Sequence, residues 1–289
     1  MKARLALLVA ALTATQARAA TDWAGVDRAL GRPGAMQPGD VHRYAFPRSD
    51  LAVTLDGVRI RPALALGSWL AFRDEGDHAE VMGDLVLTQS EVNPVLSRLL
   101  EGGVTITALH NHLLRSSPAT TYMHVHGEGD AVALATTLKA ALAASRTPLG
   151  AAANPAAPEV ALDTAALDQA IGAKGKAAGG VWQFSIPRAE QVTEDGMAIP
   201  PSLGLATAIN FQAGGSGRAV ATGDFVLVAS EITPVLKTLR AHGIEVTALH
   251  NHLTGEQPRL FFMHFWANGK TVDVAKGLAE ALAKTNVRR

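Results

Sequence analysis

The chain has 289 residues, 48% of them hydrophobic and 18% charged, with 26 basic against 26 acidic side chains and no cysteine. That composition can bury one or two full cores and excludes a disordered or fibrous chain. No basic run supplies the phosphate-neutralising term that nucleic-acid binding needs, and thiolate zinc sites, disulfides and cysteine nucleophiles are excluded outright.

Residues 1–19 read as a secretory signal peptide. Lys2 and Arg4 precede an apolar run from Leu5 to Leu12, and Ala17-Arg18-Ala19 is a small-x-small cleavage signal. Cleavage after Ala19 takes Lys2, Arg4 and Arg18 from the 26 basic residues and leaves 23 against 26 acidic. No later stretch reaches the roughly 20 apolar residues of a membrane span, and no cysteine is present to carry a lipid. A soluble periplasmic or secreted protein is expected, with a small molecule or cell-envelope component as its partner and no nucleic acid.

After the signal, Asp22 caps a short helix with Trp23, Val26 and Leu30 at helical spacing, and Gly31 stops it. Strands are expected over Val41 to Phe46, Ala52 to Ile60, Leu64 to Phe72 and Val81 to Leu87, with Asp56-Gly57 as a hairpin turn. Gly83-Asp84 and Gly223-Asp224 read as turn residues. Ser90 offers a cap to a helix in which Val92, Val95, Leu96, Leu99 and Leu100 form one stripe, closed by Gly102-Gly103; Pro94, and Pro234 in a second copy of this helix, are expected in the first turn.

Next comes Thr107-Ala108-Leu109-His110-Asn111-His112-Leu113, which returns unchanged at Thr247 to Leu253. The stretch alternates with period two, placing Val104, Ile106, Ala108, His110 and His112 on one face. A further strand from Thr120 to Val125 brings Tyr122, His124 and His126 to one face, and a helix carrying Leu134, Leu138, Ala141 and Leu142 closes the unit.

Aligning His110 with His250 sets an offset of 140 that also matches Gly83-Asp84 with Gly223-Asp224, Glu91 with Glu231, Pro94 with Pro234 and Pro47-Arg48 with Pro187-Arg188. The second copy repeats the opening helix from Asp163 to Gly172, the turn Asp195-Gly196, and the stripe Ile232, Val235, Leu236 and Leu239. It also repeats the strand Leu260 to Phe265 and the closing helix of Val274, Leu278, Ala281 and Leu282. The expected architecture is α+β: two tandem homologous domains over residues 20–144 and 160–289, joined by a linker over 145–159, each a mainly antiparallel sheet with helices on one face.

Two histidines at i and i+2 on a strand, with a third from a neighbouring strand, make a three-ligand set that leaves a position open for water. His110, His112, His124 and His126, and His250, His252 and His264, are therefore candidate ligands for a divalent transition metal, zinc first. Metal-activated hydrolysis is the simplest enzymatic reading. The rival is a non-catalytic binding module with hydrogen-bonded core histidines.

A metal-independent phosphoesterase with histidines as general acid and base is a further alternative; two-histidine phosphoesterases pair each histidine with a hydroxyl residue two positions on, where His112, His252, His126 or Trp266 stands here. The consecutive letters HNH are not the nuclease motif of that name, whose residues are dispersed. Glu91 and Glu231 open helices and serve the dipole, with a role as general base the sharper alternative. Arg48 and Arg188 are candidate anion binders against a reading as ion-pair partners.

The copies are unequal: His126 has no counterpart where Trp266 stands, and Glu256 and Arg259 appear only in the second. Tyr122, Trp266, Glu256 and Arg259 are candidate ligand contacts, at a pocket between the domains or in one of them.

The duplicated TALHNHL, the Glu91 and Glu231 helices and the strands Tyr122-Met123-His124 and Phe262-Met263-His264 resemble the LppY/LpqO family of exported bacterial proteins. The resemblance covers nearly the whole mature chain and implies secretion and a two-copy architecture; that family has no established reaction to carry over. Unlike its lipoprotein members, this chain has no cysteine.

Overall fold

The computed structural model describes residues 20–150, 158–194 and 196–288. The expected signal peptide, Asp195 of the expected second hairpin turn and the part of the expected linker holding Pro155 lie outside them.

The first repeat runs α1 (Trp23–Leu30), β1 (Ala35–Gln37), β2 (Val41–Pro47), β3 (Thr54–Leu55), β4 (Val58–Arg59), α2 (Pro62–Ala65), β5 (Gly67–Asp74), β6 (Ala79–Thr88), α3 (Val92–Glu101), β7 (Thr105–His110), β8 (Thr120–Gly129) and α4 (Ala131–Ala143). The second runs α5 (Thr164–Ile171), β9 (Lys176–Ala178), β10 (Val181–Pro187), β11 (Val192–Glu194), β12 (Met197–Ile199), a 3-10 turn (Pro201–Leu203), β13 (Ala206–Gly215), β14 (Arg218–Leu227), α6 (Ala229–Ala241), β15 (Glu245–His250), β16 (Phe261–Lys270) and α7 (Thr271–Leu282). Each repeat folds into a six-stranded, wholly antiparallel sheet, in the orders β1-β2-β5-β6-β8-β7 and β9-β10-β13-β14-β16-β15. The α+β class with two tandem domains is what the sequence implies.

Local chemistry sets the element ends. Asp22 and Asp163 accept the amides of Gly25 and Ala166, and Gly31 and Gly172 close the same helices in the left-handed region. Three local expectations are corrected. Residues 62–65 form a helical turn rather than the start of a strand, because Pro62 sits at its N1 position. Glu91, not Ser90, occupies the N-cap of α3, its carboxylate accepting the Thr88 amide at 2.8 Å. Pro234 lies inside α6, which begins at Ala229, one turn earlier than its counterpart.

Each sheet is buried on both faces. Odd positions of β6 and β8, such as Val81, Leu85, Met123 and Val125, bury against α1, α3 and α4, and Phe225, Met263 and Phe265 do the same against α5, α6 and α7. Even positions turn to the other repeat. The β3–β4 hairpin and α2 of the first repeat place Val53, Leu55, Ile60 and Leu64 on Val181, Val220 and Trp266 of the second. In return β11, β12 and the 3-10 turn place Val192, Ile199 and Leu203 on Val41, Ala71 and Met82.

The arms are thus exchanged, and the molecule is layered helices, sheet, sheet, helices. Polar bonds follow the same exchange: Gln212 accepts the Arg61 amide at 2.9 Å and donates to the Arg59 carbonyl at 2.8 Å, and Gln183 donates to Ala63 at 2.7 Å. With each fully buried aliphatic side chain contributing roughly 1.5–3 kcal/mol, these clusters make the repeats one cooperative body.

Candidate functional site

The histidine motif sits on β7 and β15, the edge strands of the two sheets, and each strand carries one irregularity. Ile106 is opposite Val125, but Ala108 is opposite His124, so Thr107 is an extra residue; Thr247 is extra in the same way between Val246 and Ala248. A one-residue bulge reverses the facing of everything beyond it. Val104 and Ile106 therefore belong to the helix-side core, whereas Ala108 and His110 share the inter-repeat face with their cross-strand neighbours His124 and Tyr122. The expectation that both histidines continue the face of Val104 and Ile106 is corrected by this bulge.

Beyond the bulges, six imidazoles meet between the sheets. Ring centroids are 3.5 Å apart for His110 and His250, 3.7 Å for His112 and His264, and 3.8 Å for His124 and His252. The arrangement has pseudo-two-fold symmetry. His110–His112 at 4.9 Å matches His250–His252 at 5.0 Å, and His110–His264 at 5.3 Å matches His124–His250 at 5.5 Å. His112 stacks on Tyr122 at 3.5 Å and His252 on Phe262 at 3.4 Å. His110 and His250, on the axis, are partly exposed; His124, His252 and His264 are buried.

The nitrogens are oriented inward. His264 Nδ1 donates to the Gly223 carbonyl at 3.2 Å and His250 Nδ1 to that of Asn251 at 3.1 Å, and His124 bonds to the Gly83 backbone. A carbonyl only accepts, so each such bond fixes the tautomer and leaves a lone pair on Nε2. The Nε2 atoms of all six histidines are buried without a hydrogen-bond partner. Burial, reinforced by neighbouring imidazoles, holds His112, His124, His252 and His264 well below the usual histidine range. Burial and His250 lower His110 to about 3, and burial lowers His250 to about 4. All six are neutral at pH 7, which suits them as metal ligands and unsuits them as general acids.

Asp84 and Asp224 are not turn residues; they lie mid-strand on β6 and β14, directly opposite His124 and His264 on the inter-repeat face. Asp84 Oδ2 is 3.8 Å from His112 Nε2, and its Oδ1 is buried without a partner. Burial, with the field of Asp224, pushes Asp84 well above the carboxylate range against the pull of Arg43. Burial pushes Asp224 up to about 7. Their signal in the sequence is a Gly-Asp pair inside an apolar run, kept at the repeat offset. The glycines admit no side chain: a Cβ on Gly223 would stand 1.9 Å from the Ala208 carbonyl oxygen, and one on Gly83 would be 2.7 Å from that of Trp69.

Ligand atoms that lie within 4.8 Å of one another form several groups: His110, His112 and His124; His110, His250 and His264; His124, His250 and His252; and Asp224, His252 and His264. His126 is outside this cluster, 3.3 Å from Glu80 Oε1, and its pKa is raised chiefly by that hydrogen bond.

The other sequence candidates have structural partners. Arg48 is fully buried and forks onto Glu91 at 2.8 and 3.1 Å, onto Asp50, and onto the Val86 carbonyl; Glu91 also accepts the amides of Thr88 and Arg146. Arg188, Glu190, Glu231, Val226, Val228 and Asn286 repeat this set. These groups satisfy one another and the backbone, and so buttress α3 and α6.

Tyr122 donates to Ala65, and Trp266 donates to Asp56 across the repeats at 2.9 Å. Glu256 is buried, accepts the Leu260 amide at 2.8 Å and pairs with Arg259, holding its own loop.

Among solved structures, the chain resembles the double-ringed trimeric shell protein MSM0271 from the RMM microcompartment, at 10% identity over 72% of this chain and 82% of that one, with a TM-score of 0.20. It also resembles the trimeric bacterial microcompartment shell protein PduB at 10% identity over 86% and 88%, TM-score 0.21, and EtuB from Clostridium kluyveri at 9% identity over 86% and 88%, TM-score 0.20. TM-scores this low carry no argument about fold or function. No curated protein matches the chain. A family model described as Domain of Unknown Function (DUF1259) matches twice, over residues 24–144 and 165–284. The chain belongs to that family, and carries its domain in duplicate.

Proposed function

We propose that this protein is an exported metal-binding protein whose centre lies between its two repeats, with His110, His112, His124, His250, His252 and His264 holding a divalent transition metal. The observation that carries this reading is the set of six buried, unpartnered Nε2 atoms converging from both sheets. Leaving one buried polar atom unsatisfied costs about 1–3 kcal/mol, and six in one place is an arrangement that a metal relieves. The carbonyl bonds to His124, His250 and His264 are the outer contacts that commonly orient ligating imidazoles. An all-imidazole set without thiolate suits zinc first.

When bound, such a metal supplies an activated water for hydrolysis of an ester, amide or phosphate. The residues of the chain hold the ligand geometry, exclude water by ring stacking, and leave an approach beside His110 and His250. Export rests on the signal-like residues 1–19 and on the resemblance to LppY/LpqO proteins. His126 takes no part in this centre.

The stacking of His112 on Tyr122 and His252 on Phe262 favours a second reading, a non-catalytic binding module with packing histidines. Elemental analysis of untagged protein, followed by zinc titration, tests the first. Metal at a fixed ratio to protein is expected; no metal and no tight zinc binding would overturn it. A panel of ester, amide and phosphate substrates, run with wild type and with His112→Ala and His252→Ala, then separates enzyme from binding module.

A further inference from the structure

Asp84 and Asp224 are not among the six histidine ligands proposed above, although Asp224 is gathered with His252 and His264. Each stands in a row across its sheet, Asp84–His124–Ala108 and Asp224–His264–Ala248, in which the small alanine leaves the imidazole room and the carboxylate faces the other repeat. Adding the carboxylates to the six imidazoles gives eight donor groups. A tetrahedral zinc takes four and an octahedral ion takes six.

We propose that the centre is dinuclear, with one divalent transition-metal ion per repeat. The first is held by His110, His112, His124 and Asp84, the second by His250, His252, His264 and Asp224. This rests on the metal-centre reading above and adds the number of ions and the two carboxylate ligands.

Two halves of the arrangement are already gathered. The ligand atoms of His110, His112 and His124 are mutually within 4.8 Å, as are those of Asp224, His252 and His264. The repeat offset maps each half onto the missing part of the other. Asp84 Oδ2 lies 3.8 Å from His112 Nε2, too far for a hydrogen bond and placed for an ion between them, and its second oxygen is a buried orphan. A single ion bound across the repeats, by His110, His250 and His264 or by His124, His250 and His252, is the rival arrangement, and it leaves Asp84 without a cation.

Two dications facing two carboxylates leave a net positive centre, so the pair takes an anion between its ions, either hydroxide or the anionic group of a substrate. The halves also differ: the field of Arg43 reaches Asp84, whereas Gln183 stands at the equivalent position of the second repeat.

The test uses full-length mature protein, stripped with chelator and titrated with cobalt(II). Bound metal is counted by elemental analysis after gel filtration, alongside the visible spectrum. Two ions per chain are expected in wild type, filled in two steps, and one in each of Asp84→Asn and Asp224→Asn, with folding checked by circular dichroism. One ion per wild-type chain overturns the proposal, and so does retention of both ions in the two variants. If a variant fails to fold, the wild-type count and the presence or absence of spin coupling between cobalt ions decide the matter. No bound cobalt at all overturns the metal-centre reading itself rather than the count.

Discussion

His110 and His250 lie with ring centroids 3.5 Å apart and planes 33° apart, each delivered by the edge strand of a different sheet. They are the most exposed of the six clustered imidazoles, so they mark where the centre meets solvent. Removing either one opens the ligand set without opening a large cavity in the core. His110→Ala and His250→Ala are each expected to weaken zinc binding by on the order of tenfold or more while moving the melting temperature little. Isothermal titration on both variants checks this; unchanged affinity would remove the axis pair from the ligand set.

Acid should destabilise the metal-free protein. His110 is lowered to about 3 and His250 to about 4, with burial the first cause in both, against about 6.5 in an unfolded chain. As pH falls below that value the unfolded state takes protons that the folded state refuses, so stability present above pH 6.5 is lost toward pH 4. Asp224 works in the opposite sense. Held up to about 7 by burial, it contributes stability below its unfolded pKa that is lost as pH rises through 7. Six imidazoles outweigh two carboxyls, so the melting temperature of stripped protein is expected to fall between pH 6.5 and 4. A flat profile over that window would show that the imidazoles are not held neutral.

Gly223→Ala is expected to be costly through the backbone, although glycine itself offers no ligand atom. Its new methyl would meet backbone, the Ala208 carbonyl, and backbone cannot rotate away. A loss of about 3 kcal/mol is expected, with weakened metal binding, because the Gly223 carbonyl orients His264. Denaturant melts and zinc titration measure the two effects; a variant as stable as wild type contradicts the close approach.

Breaking the Arg48–Glu91 fork by Arg48→Met leaves Glu91 buried with its charge partner gone, which costs about 3–5 kcal/mol. Metal stoichiometry should not change, since neither group reaches the histidines. The paired change Arg48→Met with Glu91→Gln should recover part of the loss in a double-mutant cycle. Loss of metal with stability unchanged would instead return Glu91 to the site.

Much of this was legible in the sequence because it is local. The 140-residue offset, the Asp22 and Asp163 caps and the Leu-rich stripes of α3 and α4 rest on neighbours a turn or a strand away. What the sequence does not display is long-range or conformational. An extra Thr107 looks like any other strand threonine, yet it turns His110 from one face of the sheet to the other. Asp84 and Asp224 read as turn formers because Gly-Asp commonly marks turns; only pairing with β5 and β8, or β13 and β16, keeps them in strands. The meeting of the two histidine sets depends on the exchanged arms, whose apolar residues have no periodicity that names their partner. Arg48 and Glu91 were identifiable as important, but whether they face a ligand or each other is a question of distance.

The pseudo-two-fold axis between His110 and His250 makes the chain, in quaternary terms, an isologous dimer written on one polypeptide. In a true homodimer every substitution at such an axis appears twice. Fusion lifts that constraint, so Arg43 can stand where the second repeat has Gln183, Trp69 where it has Ala208, and His126 where it has Trp266, without disturbing the shared histidines. A covalently joined pair can therefore hold a symmetric set of donors inside an asymmetric surround, and so distinguish the two ends of whatever enters along the axis.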